Sequence, residues 1–482
     1  MADSRPNIVL ITTDQQRGDC IGIDPHAPKA LQTPNLNWIG RTGAHFTRGY
    51  SECPSCIPAR RCLMTGTAPA ANGVVGFQGV DWEPAHTLAG ELTRAGYQTE
   101  MIGKLHLSPL RKRYGFEHMQ LADATRGSEN DYVDWLRERH GRLDVDPGMA
   151  HGIASNGWVG RLHHLPEEQM HSFWCVDRAM AFLKNRDPGV PFFLNISFID
   201  PHPPLTPPRI YYDRYIQRDL PEPVVGDWAR DFGGPRKGLD PNAAEICLDE
   251  FDMKCARAAY YGMVNFIDDQ IGRLFQFARG TLNDALVIFT SDHGEMLGDH
   301  NLFRKTWPYE ASARVPFLAR APVSWKLPGE ISCSGPVGLQ DVMPTILEAA
   351  DVEIPDTVTG KSLMPVLRGE TERVRETLHG EHSGCYSQSH GNHYITDGHM
   401  KYIWFTQTGV EHLFNLDDDP MEERDLALSD DAEKLLVPWR KRLIEFLDGR
   451  PEGFTDGERL ISGQTHGNVM PGYEPDRVFP FL

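Results

Sequence analysis

The stretch "NIVLITTD", Asn7 to Asp14, is a run of mostly apolar, β-branched residues that stops at a carboxylate. A strand with one wet face alternates apolar and polar residues, so an unbroken run fits a strand buried on both faces. Such a strand needs helices above and below its sheet. The chain supplies them. "YQTEMIG" follows the helix-like "TLAGELTRAG", whose Gly96 reads as a helix stop. "VPFFLNISFID" follows "FWCVDRAMAFLKN", and "ALVIFTSDHG" follows "ARAAYYGMVNFIDDQIGRLFQFAR". Strands alternating with helices predict an α/β fold, a mostly parallel central sheet with helices on both faces. Chemistry in such sheets gathers beyond the C-terminal strand ends. With the usual topology that rule brings together Asp14, Lys104 with His106, Asp200 with His202, and Asp292 with His293.

Composition bounds the function. A chain of 482 residues is too long for one simple core, and 40% hydrophobic residues suit a globular enzyme. The net charge of -19 argues against nucleic acid as a partner, though a local cationic pocket can still hold a small anion. No apolar stretch is long enough for a bilayer, so no membrane partner is expected. "MADSRPNIVLITTD" lacks a small-residue cleavage site after its apolar run. Nine scattered cysteines, an odd number, read as reduced thiols of a cytoplasmic protein.

Two long stretches rich in Pro, Gly and charge, roughly 108–169 and 201–245, read as irregular, substrate-defining insertions. From about residue 378 the pattern changes. "HYITDGHMKYIWF" and "EHLFNL" are short alternating segments with turn residues between them, and "DDAEKLLVPWRKRLIEFLDG" is helix-like. The expected division is a catalytic domain over 1–377, a small α+β domain with a short antiparallel sheet over 378–460, and an extended tail over 461–482. The tail suggests a homo-oligomer.

"SECPSCIPARRCLMTG", Ser51 to Gly66, puts three cysteines within ten residues. A zinc site needs four ligands, and no second Cys or His pair stands nearby. A thioredoxin-like Cys-x-x-Cys needs a different flanking sequence. A third reading centres on Cys56. Pro58 suits a first helical turn, which puts Cys56 at a helix N-terminus, where anions are favoured. Arg60 lies one turn on, on the same face. Other residues also have bland readings. Asp14 alone is as readily a helix cap. Asp292-His293 alone reads as a turn. Lys104, His106 and Lys305 are of types common on surfaces, and His202 stands between prolines. Trp307 and Tyr309 fit either a site lining or core packing.

"CIPARRCLMTG" resembles the signature of the sulfatase family, within the alkaline phosphatase superfamily. The resemblance spans nearly the whole chain and implies the alkaline phosphatase-like version of the α/β fold. In that family the cysteine followed by Pro at two and Arg at four residues becomes formylglycine, whose hydrate is the nucleophile. Cys56, Pro58 and Arg60 fit; Cys53 and Cys62 do not, which leaves Cys62 as a packed helix residue and Cys53 as an incidental thiol. "NIVLITTDQQRGD" resembles the first metal-binding segment, with Asp14 as ligand and Gln15 where many members have a second Asp. "GKLH" gives Lys104 and His106, "SFIDPHPP" gives His202, and "TSDHGEMLGDHNLFRKTWPYE" gives Asp292 and His293 as metal ligands, then Lys305. "HLFNLDDDPMEERDLA" resembles the C-terminal segment.

The resemblance implies sulfate-ester hydrolysis on a small molecule. One divalent cation would sit on Asp14, Gln15, Asp292, His293 and modified Cys56. Ca2+ is expected, with Mn2+ favoured as alternative by His293 and Gln15, and Mg2+ as another. Arg60 and Lys104 would stabilise charge, His106 would act as base, and His202 and Lys305 would bind sulfate and protonate the leaving oxygen. A maturation enzyme that makes formylglycine is the implied protein partner. The competing reading is a phosphonate monoester hydrolase or phosphodiesterase of the same superfamily, or activity on both. Those enzymes share the Asp-Gln start but usually lack the Lys and His of the Gly-Lys-x-His motif.

Overall fold

The computed structural model describes residues 5–123, 130–140, 152–235, 240–464 and 466–475. Parts of both insertions and the end of the tail lie outside the described residues. In chain order the elements that position the site are β1 (Asn7–Asp14), β2 (Ala44–Phe46), α1 (Cys56–Thr65), α2 (Leu88–Arg94), β3 (Gln98–Gly103) and β4 (His118–Leu121). Then come α3 (His171–Asn185), β5 (Phe192–Pro201), α4 (Glu250–Phe277), β6 (Ala285–Ser291), β7 (Phe317–Arg320), β8 (Ile331–Cys333) and α5 (Val342–Ala349). The C-terminal elements are β9 (Leu378–His382), β10 (Asn392–Thr396), β11 (Met400–Phe405), β12 (Glu411–Asn415) and α6 (Ala432–Leu447).

The main sheet has eight strands in the order β4-β3-β5-β1-β6-β7-β2-β8. From β4 to β6 all pairings are parallel; β7 runs antiparallel to both its neighbours. β1 lies in the middle, and its side chains divide by parity as a doubly buried strand requires. Ile8 and Leu10 pack with residues of α1, α2 and α5 on one face. Val9 and Ile11 pack with residues of α3 and α4 on the other. The four strands read from the sequence are therefore adjacent in the sheet, and their C-terminal ends share one edge. The two stretches expected to be irregular contain β4 and two helices, Asp131–His140 and Arg209–Ile216.

β9 to β12 form a separate four-stranded antiparallel sheet. Strand alternation splits its two faces. Ile403 and Phe405 of β11 pack with Tyr50, Met296 and Trp307 of the main body. Tyr402 and Trp404 pack with Leu436, Trp439 and Leu443 of α6. Part of the tail runs along the main body, where Val75 N–H donates to Asn468 O at 2.9 Å and Met470 N–H to Gly73 O at 3.0 Å. Among the described residues no helix is long and apolar enough to cross a membrane.

Candidate active site

Asp14 is the last residue of β1, and the register with β5 slips between Thr12 and Asp14. Gln15 then turns into the left-handed region, with φ 69°. That conformation costs a non-glycine residue roughly 1–2 kcal/mol. It is held from both sides. Gln15 N–H donates to Asp292 Oδ1 at 3.1 Å, and Tyr260 of α4 donates its hydroxyl to Gln15 O at 2.7 Å. Asp292 and His293 follow β6 directly, so the central strand pair delivers three polar side chains to one point.

α1 begins at Cys56, with Pro58 in its first turn. It ends at Gly66, whose φ of 65° suits a residue without Cβ and whose N–H closes on Cys62 O at 2.9 Å. Arg60 comes round to the same side as Cys56. Its Nε donates to Asp292 Oδ2 at 3.0 Å, and its Nη2 lies 3.4 Å from Asp14 Oδ2. Its Nη1 donates to Lys104 O at 2.7 Å and to Ser197 Oγ of β5 at 2.8 Å. Arg61 points the other way and lies over Trp82.

Cys56 Sγ stands where these groups meet. It lies 3.2 Å from His293 Nε2, 3.3 Å from Lys305 Nζ, 3.6 Å from Asp14 Oδ1 and 3.7 Å from Lys104 Nζ. Lys305 also donates to Gln15 Oε1 at 3.0 Å and to His202 Nε2 at 2.7 Å. Those three contacts use its three N–H groups. His202 Nδ1 donates to Pro203 O at 2.6 Å, which leaves Nε2 as the acceptor. Lys104 Nζ pairs with Asp14 Oδ2.

Electrostatics set the charge states. Burial would raise Asp14, but the cations around it, Lys104 foremost with Arg60 and Lys305, hold it well below the usual carboxylate range. Burial would lower Lys104, yet Asp14 keeps its ammonium above the ordinary value. Burial, then the nearby cations, push His202 and His106 well below the usual imidazole range, so both are neutral. Burial, then Asp14, pushes the Cys56 thiol up to about 11. At neutral pH it is protonated and a poor nucleophile.

Asp14, Cys56, Asp292 and His293 each offer a ligand atom, all within 4.8 Å of one another. His293 is lowered by burial and therefore neutral, and its Nδ1 lies 3.0 Å from Gly294 O, so Nε2 carries the lone pair. Asp14 Oδ1 and Asp292 Oδ1 each lie 3.6 Å from that Nε2. Three acceptors, Asp14 Oδ1, Asp292 Oδ1 and His293 Nε2, thus converge beside Cys56 Sγ. This donor set fits a divalent cation.

The structure brings Asp14, Gln15, Cys56, Arg60, Lys104, His202, Asp292, His293 and Lys305 together. His106 stands beyond β3 with φ 51°, its N–H donating to Asp123 Oδ2 at 2.7 Å. Its Nδ1 is buried without a hydrogen-bond partner, and its ring meets Phe77 edge-on. Trp307 and Tyr309 are core residues. Trp307 donates to Phe303 O at 3.1 Å, and Tyr309 stacks on Trp228 at 4.3 Å. Cys53 and Cys62 are fully buried and outside the site. Sequence reasoning missed Ser197, Tyr260, Glu295 and His382, which acts on Ser55 Oγ at 2.8 Å. Glu295 had a faint signal, standing two residues after His293.

The family described as Sulfatase matches residues 6–352, and the one described as N-sulphoglucosamine sulphohydrolase, C-terminal, matches 298–448. The chain is 40% identical to an arylsulfatase of Clostridium perfringens, over 95% of this chain and 98% of that protein. It is 29% identical to the multifunctional alkaline phosphatase superfamily protein PehA of Trinickia caryophylli, over 94% and 99%. Among solved structures, the phosphonate monoester hydrolase of Agrobacterium radiobacter superposes with a TM-score of 0.76 at 24% identity, covering 92% of this chain and 95% of that one.

Proposed function

The chain belongs to the sulfatase family and is a sulfuric ester hydrolase, and from that premise we propose that it cleaves aryl-type sulfate esters with a nucleophile made from Cys56. The observation that carries this reading is the position of Cys56 Sγ between two ammonium groups and the three convergent acceptors of Asp14, Asp292 and His293. A thiol held near 11 does not serve there. Conversion to formylglycine, whose hydrate carries two hydroxyls on one carbon, supplies an oxygen nucleophile and a second hydroxyl whose deprotonation expels sulfate. Asp14, Gln15, Asp292 and His293 would hold a divalent cation, Ca2+ with Mn2+ or Mg2+ as alternatives, which would supply charge stabilisation and ease ionisation of a hydroxyl.

The chain's own residues do the rest. Lys104 and Arg60 keep Asp14 ionised and hold charge beside the nucleophile. Lys305 Nζ and His202 Nε2 share a hydrogen bond beside Cys56, where they bind sulfate and hand a proton to the leaving oxygen. His106 Nδ1, neutral and unpartnered, takes the proton of the second hydroxyl. The reading includes a maturation enzyme as partner. It also includes a cytoplasmic site, supported by nine unpaired cysteines.

Turnover of 4-nitrophenyl sulfate, with mass analysis of the Cys56 peptide, tests the proposal. Fast release of 4-nitrophenol by converted protein is expected. A Cys56 that is always a free thiol in active protein would refute it. A second reading, phosphonate or phosphodiester hydrolysis, is favoured by the Asp14-Gln15 pair and by the likeness to a relative named multifunctional. Lys104 and His106 favour sulfate. Slow sulfate turnover beside fast turnover of phenyl phosphonate esters by fully converted protein would reverse the order.

A further inference from the structure

Gln15 can face the site with either end of its amide, and only the oxygen can bind a cation. Its Oε1 accepts from Lys305 Nζ at 3.0 Å, while its Nε2 donates to Glu295 Oε2. Rotating the amide by half a turn would put Nε2 against an ammonium and Oε1 against a carboxylate. Both contacts would then be repulsive, so the orientation is set by these two neighbours. Glu295 is itself fixed. Its Oε1 accepts from Leu297 N–H at 2.9 Å and from Arg304 N–H, and the side chain is buried. Those amides close the loop of residues 297–304, which ends next to Lys305, so one carboxylate holds the amide of Gln15 and the backbone beside Lys305 together.

We propose that Glu295 is a positioning residue that locks the Gln15 amide with its oxygen toward the cation, so that an acid–amide pair does the work of a second metal-binding carboxylate. This rests on the reading of Gln15 as a metal ligand and adds the device that makes a neutral ligand dependable. A carboxylate in place of Gln15 would need no such partner, because both of its oxygens accept. The lock is needed only because the ligand is an amide.

The chemistry gives a reciprocal test. In Glu295→Gln the side chain keeps its shape, and its oxygen still accepts from the Leu297 and Arg304 amides. Its NH2 group then meets Gln15 Nε2, donor against donor, and the Gln15 amide must turn or withdraw. Exchanging the pair, Gln15→Glu with Glu295→Gln, restores a donor facing an acceptor and puts a carboxylate oxygen toward the cation. Calorimetric titration of the chelator-stripped full chain with CaCl2 and with MnCl2 measures binding directly, and thermal unfolding checks that each variant is folded. The parent should bind one ion. Glu295→Gln should bind on the order of 10–100-fold more weakly, and the exchanged pair should return to the parent value or tighter. Parent-like affinity in Glu295→Gln overturns the lock. Weak binding that the exchanged pair does not recover also overturns it, and assigns Glu295 to holding the loop alone. A parent that binds no ion sinks the functional reading itself, an outcome distinct from these two.

Discussion

Burial decides what each side chain can do at this site. Cys56 and Cys62 are both buried in α1, yet only Cys56 faces cations, while Cys62 packs among apolar residues of the main core. Cys56→Ala should therefore abolish 4-nitrophenyl sulfate turnover while leaving the unfolding midpoint close to the parent's. Cys53→Ala and Cys62→Ala should keep turnover, with Cys62→Ala losing some stability to the cavity it leaves. Arg60 binds both metal-side carboxylates, a backbone carbonyl and Ser197. Its fork cannot be copied by an ammonium, so Arg60→Lys should lower kcat by about 100-fold or more, roughly 3 kcal/mol. Stripping the cation should stop turnover and lower stability; at 100 times the dissociation constant the ion contributes about 2.7 kcal/mol. A thermal shift on adding CaCl2 or MnCl2 to stripped protein measures that term. Residues that touch the reacting centre were legible because their types and order at strand ends are constrained together. Ser197 and Tyr260 act through other residues and nothing in their spacing marks them, while Glu295 had only its place two residues after His293.

At the scale of elements, β1, β5 and β6 were legible because a strand buried on both faces must be apolar throughout. β2, β7 and β8 were not, since strands of three or four residues are too short to show a period. β9, "LHGEH", was missed because its faces bury charge and histidine against specific partners. Glu52, next to the cysteine cluster, shows how such polar burial ties elements together. Its carboxylate oxygens accept from the Leu339 and Gln340 amides, each at 3.1 Å, at the turn that leads into α5. Its own carbonyl accepts from Glu381 N–H of β9 at 2.7 Å. Burial, then the charge of Asp341, raises Glu52 from its ordinary 4.5 to about 7. A raised acid contributes fully below 4.5, and that contribution is lost as pH rises toward 7, because the unfolded chain releases a proton that the folded chain keeps. The shift corresponds to roughly 3 kcal/mol. Glu52→Gln cannot ionise. Urea unfolding of both proteins between pH 4.5 and 7.5 should show the variant gaining on the parent by about that amount. A constant difference across the range would mean that Glu52 ionises as easily when folded.

At the scale of the molecule, the small C-terminal sheet is built into the catalytic body. Leu378, Tyr394, Ile403, Phe405, Phe414 and Leu416 share one cluster with Tyr50, Met296, Trp307 and Tyr309. Lys401 of β11 forms fully buried ion pairs with Glu310 at 3.0 Å and Glu422 at 3.2 Å. The same sheet supports the reacting centre. Tyr386 donates to Lys305 O at 3.1 Å, and Asn392 Nδ2 to Thr306 O at 3.1 Å. These contacts reach the backbone of the lysine that lies against Cys56. A boundary near residue 377 follows the change of pattern in the sequence, but pattern does not report what covers each face. Removing residues 378–482 would uncover the apolar side of that cluster. Five large side chains left behind, Tyr50, Met296, Leu302, Trp307 and Tyr309, at about 1.5–3 kcal/mol each amount to roughly 7–15 kcal/mol, comparable with the whole stability of a typical domain. A chain ending at residue 377 should therefore be insoluble, or lack near-ultraviolet circular dichroism and a cooperative unfolding transition. A soluble, cooperatively folded piece with sulfatase turnover would mean that the small sheet is dispensable and that Lys305 is held by the main body alone.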